Sequence, residues 1–152
     1  MNNYQGFEPI LGGIYIVNLP KDKDNPHAQY GERPVLVTQN IVGNCHSPII
    51  IVVPITGAEH EKAVMPTHVY LNAKDCGLDK DSVALCEQPR IIPKTNFIEY
   101  ISTLSPFYRN KIGYARAIAE PTMMWICDAD IPKLKRYLVQ KNTIDMKVAA
   151  TA

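Results

Sequence analysis

Gly31-Glu32-Arg33-Pro34-Val35-Leu36-Val37-Thr38-Gln39-Asn40 and Pro48-Ile49-Ile50-Ile51-Val52-Val53-Pro54-Ile55-Thr56-Gly57 are two strongly apolar runs, each attached to one polar residue of chemical interest. Arg33 opens the first run and Thr56 closes the second. Runs this apolar read as strands covered on both faces, over residues 34–39 and 49–55. If they pair in one sheet, a fixed cation and a hydroxyl can be held near each other, an arrangement suited to a phosphate. Residues 40–48, with Gly43, Asn44 and Ser47, read as the turn between them.

Outward from this pair, residues 12–19 read as a first strand, rich in β-branched and aromatic side chains after a Gly-Gly break. Residues 20–31 are polar and form a long loop that leads straight into Arg33. Residues 66–71 and 82–88 supply two more strands, with the polar stretch 72–81 between them. Several short strands at close spacing predict a small barrel or strongly bent sheet. Helix signals come late. Thr95 is placed to cap a short helix through Tyr100, and Ser105-Pro106 is an N-cap followed by Pro at the first helical position. Tyr108, Ile112, Ala115 and Ala119 then recur on one face, and Pro121 ends that helix. Asp130 can cap a last helix, with Ile131, Leu134 and Leu138 as its apolar stripe. The expected fold class is therefore α+β.

The chain has 152 residues, 46% of them hydrophobic and 20% charged, which fits one globular domain over 1–152 with a real core. A net charge of +1 gives no global field toward nucleic acid, so any basic surface must be local. No apolar run approaches the roughly 18 residues of a membrane span, and the N-terminus lacks the pattern of a signal peptide. Cys45, Cys76, Cys86 and Cys127 include no close pair. That argues against a zinc site and for free thiols in a reducing cytoplasm. No metal and no cofactor is expected.

An arginine before a strand is more often an ordinary surface residue, and a threonine at a strand end more often satisfies a turn. Pro34 shifts the balance by fixing the backbone beside Arg33. Guanidinium matches a phosphate through two parallel hydrogen bonds. Arginine plus a hydroxyl, without metal ligands, suits stabilisation of a phosphorane and transfer of a proton. RNA carries its own nucleophile, the 2′-hydroxyl, so a metal-free site needs only in-line placement, charge stabilisation and proton shuttling. The products expected are a 2′,3′-cyclic phosphate and a 5′-hydroxyl. His27, in the long loop, is the best placed histidine for acid–base work. Glu87-Gln88-Pro89-Arg90 ends a strand with side chains able to read base edges. Tyr15, Tyr30 and Phe97 are candidate stacking platforms, with Tyr15 better suited to the core.

The sequence at this point resembles the MazF/PemK family of toxin endoribonucleases. The matching features are Gly13-Ile14-Tyr15, Gly31-x-Arg33-Pro34-Val35-Leu36-Val37, Gln39-Asn40, Asn44-x-x-Ser47-Pro48, Pro54-Ile55-Thr56, Pro66-Thr67-His68-Val69, Leu78-x-Lys80-Asp81-Ser82-Val83 and Glu87-Gln88-x-Arg90. They stand in family order from about residue 12 to 119. The resemblance implies an SH3-like barrel with added helices, a homodimer, metal-independent cleavage of single-stranded RNA at short sequences, and a cognate antitoxin whose tail blocks the site. It assigns catalysis to Arg33 and Thr56 and a lid to residues 20–31. Gln39, Asn40, Gln88 and Arg90 would line the RNA groove or support it, with His27 and Tyr30 contributing from the lid.

Family members often carry an Asp three residues after the Arg of Gln-x-Arg, and in some it joins catalysis. Here Pro93 stands at that position, which leaves the Arg33/Thr56 scheme. Residues 120–152 extend beyond the usual family core. The rival readings are an SH3-like module that binds nucleic acid or peptide without cutting, and a gyrase-poisoning toxin on the same fold. The latter class usually ends in a tryptophan-containing helix, whereas Trp125 stands well before residue 152.

Overall fold

In the computed structural model, which describes residues 8–60 and 65–122 together with Pro132 and Arg136, strand β1 (Gly13–Leu19) divides its side chains between two cores. Ile14 belongs to one cluster; Tyr15, Val17 and Leu19 belong to the other. The same alternation holds on β2 (Gly31–Val37) and β3 (Ile49–Gly57), because successive side chains of a strand point to opposite faces. Val35, Val37, Ile50 and Val52 join Tyr15, while Leu36, Val53 and Ile55 join Ile14.

The remaining strands are β4 (His68–Leu71), β5 (Ser82–Leu85), β6 (Arg90–Pro93) and β7 (Phe97–Thr103). Strand order is β4-β5-β3-β2-β1-β7, with β6 also on β3, and every pairing is antiparallel. The long β3 therefore pairs with β6 through its first half and with β5 through its last three residues. The ladder β6-β3-β2-β1-β7 cannot lie flat. Flat, its outer strands would be about 19 Å apart at ordinary strand spacing. Yet only the 3-10 turn Lys94–Asn96 joins them, and that link spans at most about 14 Å even when extended. The sheet must curl, and it curls around Tyr15, Val35, Ile50, Ile92 and Phe97. The result is the expected α+β, barrel-like fold, although its sheet is not closed by hydrogen bonds.

Helix α1 (Ile41–His46) and helix α2 (Ala73–Cys76) are short and held by asparagine caps; helix α3 (Pro106–Ala119) lays Tyr108, Ile112 and Ala115 on the outer face of the sheet. The stripe read from the sequence is thus the packed face of α3. Its Ser105 makes no side-chain cap hydrogen bond, and Pro106 opens the helix as expected.

Several expectations are corrected. The short helix expected from Thr95 through Tyr100 does not form: a single 3-10 turn ends at Asn96 and β7 begins at Phe97. Long-range pairing of β7 with β1 outweighs a local capping signal. Strand β6, which follows Pro89, was not anticipated; Pro93 sits at its last position. The turn at 40–48 contains α1, and 72–81 contains α2. Coverage of β3 is incomplete, since Ile49 and Ile51 are exposed, beside Ile91 at 63% exposure. Phe97 is 0% exposed, which removes it as a stacking platform. The expected last helix from Asp130, with Ile131, Leu134 and Leu138, lies outside the described residues.

Candidate active site on the inner face of the curled sheet

The β2–β3 ladder pairs Val35 with Pro54, Leu36 with Val53 and Val37 with Val52. The β2–β3 ladder ends at the Val35–Pro54 pair, where β3 passes to β5. Arg33 and Thr56 each stand two residues beyond that last pair, on the inner-face parity of Val35, Val37 and Val52. They therefore flank the same end of the ladder. Strand β6 adds a third member. Arg90 pairs with Val52 and Ile92 with Ile50, so Arg90 shares the inner-face parity of buried Ile92. Apolar side chains fill the middle of the curl. The polar ones come from positions near the ends of β2, β3 and β6.

Arg33 is half-buried and held by the long loop. Its Nε donates to the Tyr30 carbonyl at 2.8 Å, and its Nη1 donates to Gln29 Oε1. Arg90 Nη1 donates to the Gln29 carbonyl at 2.9 Å, and Nη2 to the Pro20 carbonyl at 3.1 Å. The two guanidinium groups therefore meet the same short segment of chain. Gly31, at φ +81°, makes the bend from that segment into β2, a conformation that favours glycine. Thr56 is not at a strand end as expected. It lies within the ladder to β5, opposite Val83, one residue before β3 ends at Gly57, and its side chain is half-buried.

The other sequence candidates divide. Gln39 uses both ends of its amide on β3, donating to the Ile49 carbonyl at 3.1 Å and accepting from the Ile51 amide at 3.2 Å. Asn40 Oδ1 caps α1 by accepting from Gly43 N at 2.9 Å. Both side chains are thus engaged with the backbone around β3 and α1. Gln88 Nε2 donates to Glu87 Oε1 at 3.4 Å. His27 is exposed in the loop, where its backbone amide donates to Asn25 Oδ1. Tyr30 is 50% exposed, with Lys21 Nζ 5.3 Å from its ring centroid, and remains available for stacking.

Sequence reading missed Gln29. Its position four residues before Arg33 is the only signal that could have found it, and only the loop's path gives that spacing meaning. It also missed the Lys80–Glu59 ion pair.

Electrostatics separates structural groups from reactive ones. Burial pushes the Cys86 thiol up to about 12, so it stays protonated at neutral pH and is no nucleophile. Burial acts to raise the Glu87 carboxyl as well. The hydrogen bond from His68, 2.8 Å away, is among the contacts that outweigh it and hold Glu87 below its ordinary range. Among the described residues no three His, Cys, Asp or Glu side chains converge as a metal site would require. No described helix is long and apolar enough to cross a membrane.

Comparison with known proteins bears on this arrangement. Residues 11–115 match the model of a family described as PemK-like, MazF-like toxins of type II toxin–antitoxin systems. The chain is 45% identical over 108 residues to the endoribonuclease EndoA of Bacillus subtilis, a match covering 71% of this chain and 90% of that protein. The fold resembles the Mycobacterium tuberculosis toxin MazF-mt6 with a TM-score of 0.58 and 26% identity, over 70% of this chain and 94% of the other. It also resembles an endoribonuclease from a mycobacterial species, solved in complex with its cognate antitoxin. There the TM-score is 0.60 at 24% identity, over 73% and 93% of the two chains.

Proposed function

Because the chain belongs to the PemK-like, MazF-like toxin family, we propose that it is an endoribonuclease toxin whose chemistry is carried by Arg33 and Thr56. The observation that supports the assignment is that Arg33 and Thr56 both stand two residues beyond the last β2–β3 pair, Val35–Pro54, on the parity of the inner-face side chains. In the reaction the RNA 2′-oxygen attacks its own phosphorus, the bond to the 5′-oxygen breaks, and the departing oxygen takes a proton. A 2′,3′-cyclic phosphate and a 5′-hydroxyl result. Arg33 stabilises the charge that develops on the non-bridging oxygens, a contribution of about 10²–10³ in rate for one well-placed donor. Thr56 orients a reacting oxygen or passes a proton to or from it. Since 2′-hydroxyl attack brings its own nucleophile, no metal is needed.

The substrate is single-stranded RNA cut at a short word, read from a groove lined by Gln88, His27 and Tyr30 and supported by Arg90. A homodimer, a cognate antitoxin and a cytoplasmic site of action complete the reading, in keeping with the type of system that the family's description names. Residues 12–119 form the core on this reading and residues 120–152 an extension. The test is purified protein with a long RNA in EDTA, followed by mapping of the ends. Discrete cuts with 5′-hydroxyl ends are expected. Intact RNA would overturn the enzymatic reading in favour of a binding module or a gyrase poison. Cutting abolished by EDTA would overturn metal independence.

A further inference from the structure

Arg90 and Gln29 form a device that the assignment of Arg33 and Thr56 does not use. The loop at 20–30 leaves the sheet after β1 and returns at β2. Arg90, on a different strand, donates one guanidinium nitrogen to each end of it: Nη2 to the Pro20 carbonyl at 3.1 Å and Nη1 to the Gln29 carbonyl at 2.9 Å. Gln29 is gripped a second time, through its side chain, whose Oε1 accepts from Arg33 Nη1. The next carbonyl, Tyr30, accepts from Arg33 Nε at 2.8 Å. One stretch of two residues thus links the guanidinium that meets phosphate to the guanidinium that holds the loop.

We propose that Arg90 is a positioning residue, which staples the loop at 20–30 so that Gln29 holds Arg33 in its reactive orientation until the RNA phosphate takes over the carboxamide's place. The inference rests on the endoribonuclease reading for its consequence in catalysis, but not for the staple itself. Its chemistry is ordinary. An arginine presents five N–H donors in a fixed fork, and two nitrogens of Arg33 are already engaged by neutral carbonyl oxygens. A phosphate oxygen is charged and makes a bond roughly twice as strong, so it displaces the Gln29 carboxamide without a separate opening step. Before displacement, the neutral amide keeps a long, flexible side chain from wandering, which is preorganisation. With both carbonyls of the staple satisfied, Arg90 has fewer donors left for a base edge. The structure therefore separates it from Gln88, whose amide has no comparable tie to the loop.

Hydrogen exchange of the loop amides, read in the full chain without RNA, tests the staple directly. Arg90→Ala is expected to speed exchange across 21–30 by about tenfold or more while the strands keep their protection. Arg90→Lys, which can reach only one of the two carbonyls, falls between. Gln29→Ala leaves the staple's backbone acceptor in place, so it leaves exchange nearly unchanged. With a fixed RNA substrate, both Arg90→Ala and Gln29→Ala lower kcat, by about 10- to 100-fold for a mispositioned group. KM moves less, the recognised word does not change, and the double variant is no worse than the poorer single one. Unchanged loop exchange in Arg90→Ala and in Arg90→Lys would overturn the staple. A changed word with raised KM would make Arg90 a reader of bases instead. Multiplying losses in the double variant would show that Arg90 and Gln29 act separately, against the proposal. If the unaltered protein leaves RNA intact, the endoribonuclease reading fails, and the exchange arm still decides whether Arg90 holds the loop.

Discussion

At the scale of single residues, Arg33 and Thr56 are asked to do different things, and substitution separates them. Arg33→Ala is expected to lower kcat/KM for RNA by about 10²–10³, the usual cost of one transition-state donor. Arg33→Lys should recover little, because a point charge cannot replace a planar fork. Thr56→Ser should keep most of the activity that Thr56→Ala loses, since the hydroxyl and not the methyl is used; equal losses in single-turnover cleavage would remove the hydroxyl's role. Glu87 makes a different prediction, about stability. Its carboxyl is held below the ordinary 4.5, with His68 overcoming the effect of burial. A carboxylate with a depressed folded value stabilises the fold above the unfolded value, and the benefit fades as pH falls through the folded one. The stability gap between the unaltered chain and Glu87→Gln should therefore be full at neutral pH and shrink below 4.5. Urea titrations at several pH values read this gap, and a pH-independent gap would refute the linkage. The sequence singled out Arg33 because Pro34 follows it, and Thr56 because a strand ends near it. It did not single out Gln29, a loop glutamine with no chemistry until the chain folds back on Arg33.

Elements show where local signals decide structure and where they are overruled. Asn72 caps α2 by accepting from the amides of Lys74 and Asp75, and Gly77 closes the helix at φ +68°. So short a helix has no propensity to stand alone. Asn72→Ala should cost about 1 kcal/mol, visible as a lower thermal midpoint, with Asn72→Asp nearly neutral. An unaltered midpoint would mean that α2 is held by packing alone. The cap signals at Ser105-Pro106 and the helical spacing after them located α3 correctly, because a long amphipathic helix states its buried face in its period. Thr95 offered a similar cap and failed. Residues 97–103 pair with β1, and Phe97 fills the curled core, which brings far more burial than one capped turn. Strand β6 was hidden for the converse reason. Four residues that follow Pro89 and end on Pro93 have no period to read, and the strand exists because β3 offers an open edge from Ile49 to Val52.

Across the whole molecule, two cores on opposite faces of one sheet explain why so small a chain can hold a site at all. The outer cluster is sealed by α3 and the inner one by the sheet's own curl, so the inner-face ends are left for chemistry. Among the described residues both cores draw only on positions 14–115, and the family match ends at residue 115. A chain ending at Thr122 should therefore melt cooperatively and still cut RNA. An insoluble or inactive product would show that residues 123–152 belong to the working fold. Sedimentation of both forms at twice the chain mass, 17.0 kDa for the full one, is the outcome expected of a dimer whose contact lies in the core. The sequence by itself determined the apolar strands, the face of α3 and the family, and it singled out Arg33 and Thr56 as the proposed chemistry. All of these are written in side-chain type and spacing along the chain. Only the tertiary structure decided that β6 exists, that Phe97 is core, and that Arg90 reaches back to both ends of the loop at 20–30. Those outcomes depend on which edges and carbonyls the curled sheet brings together across some seventy residues, and no local pattern records a contact made at that range.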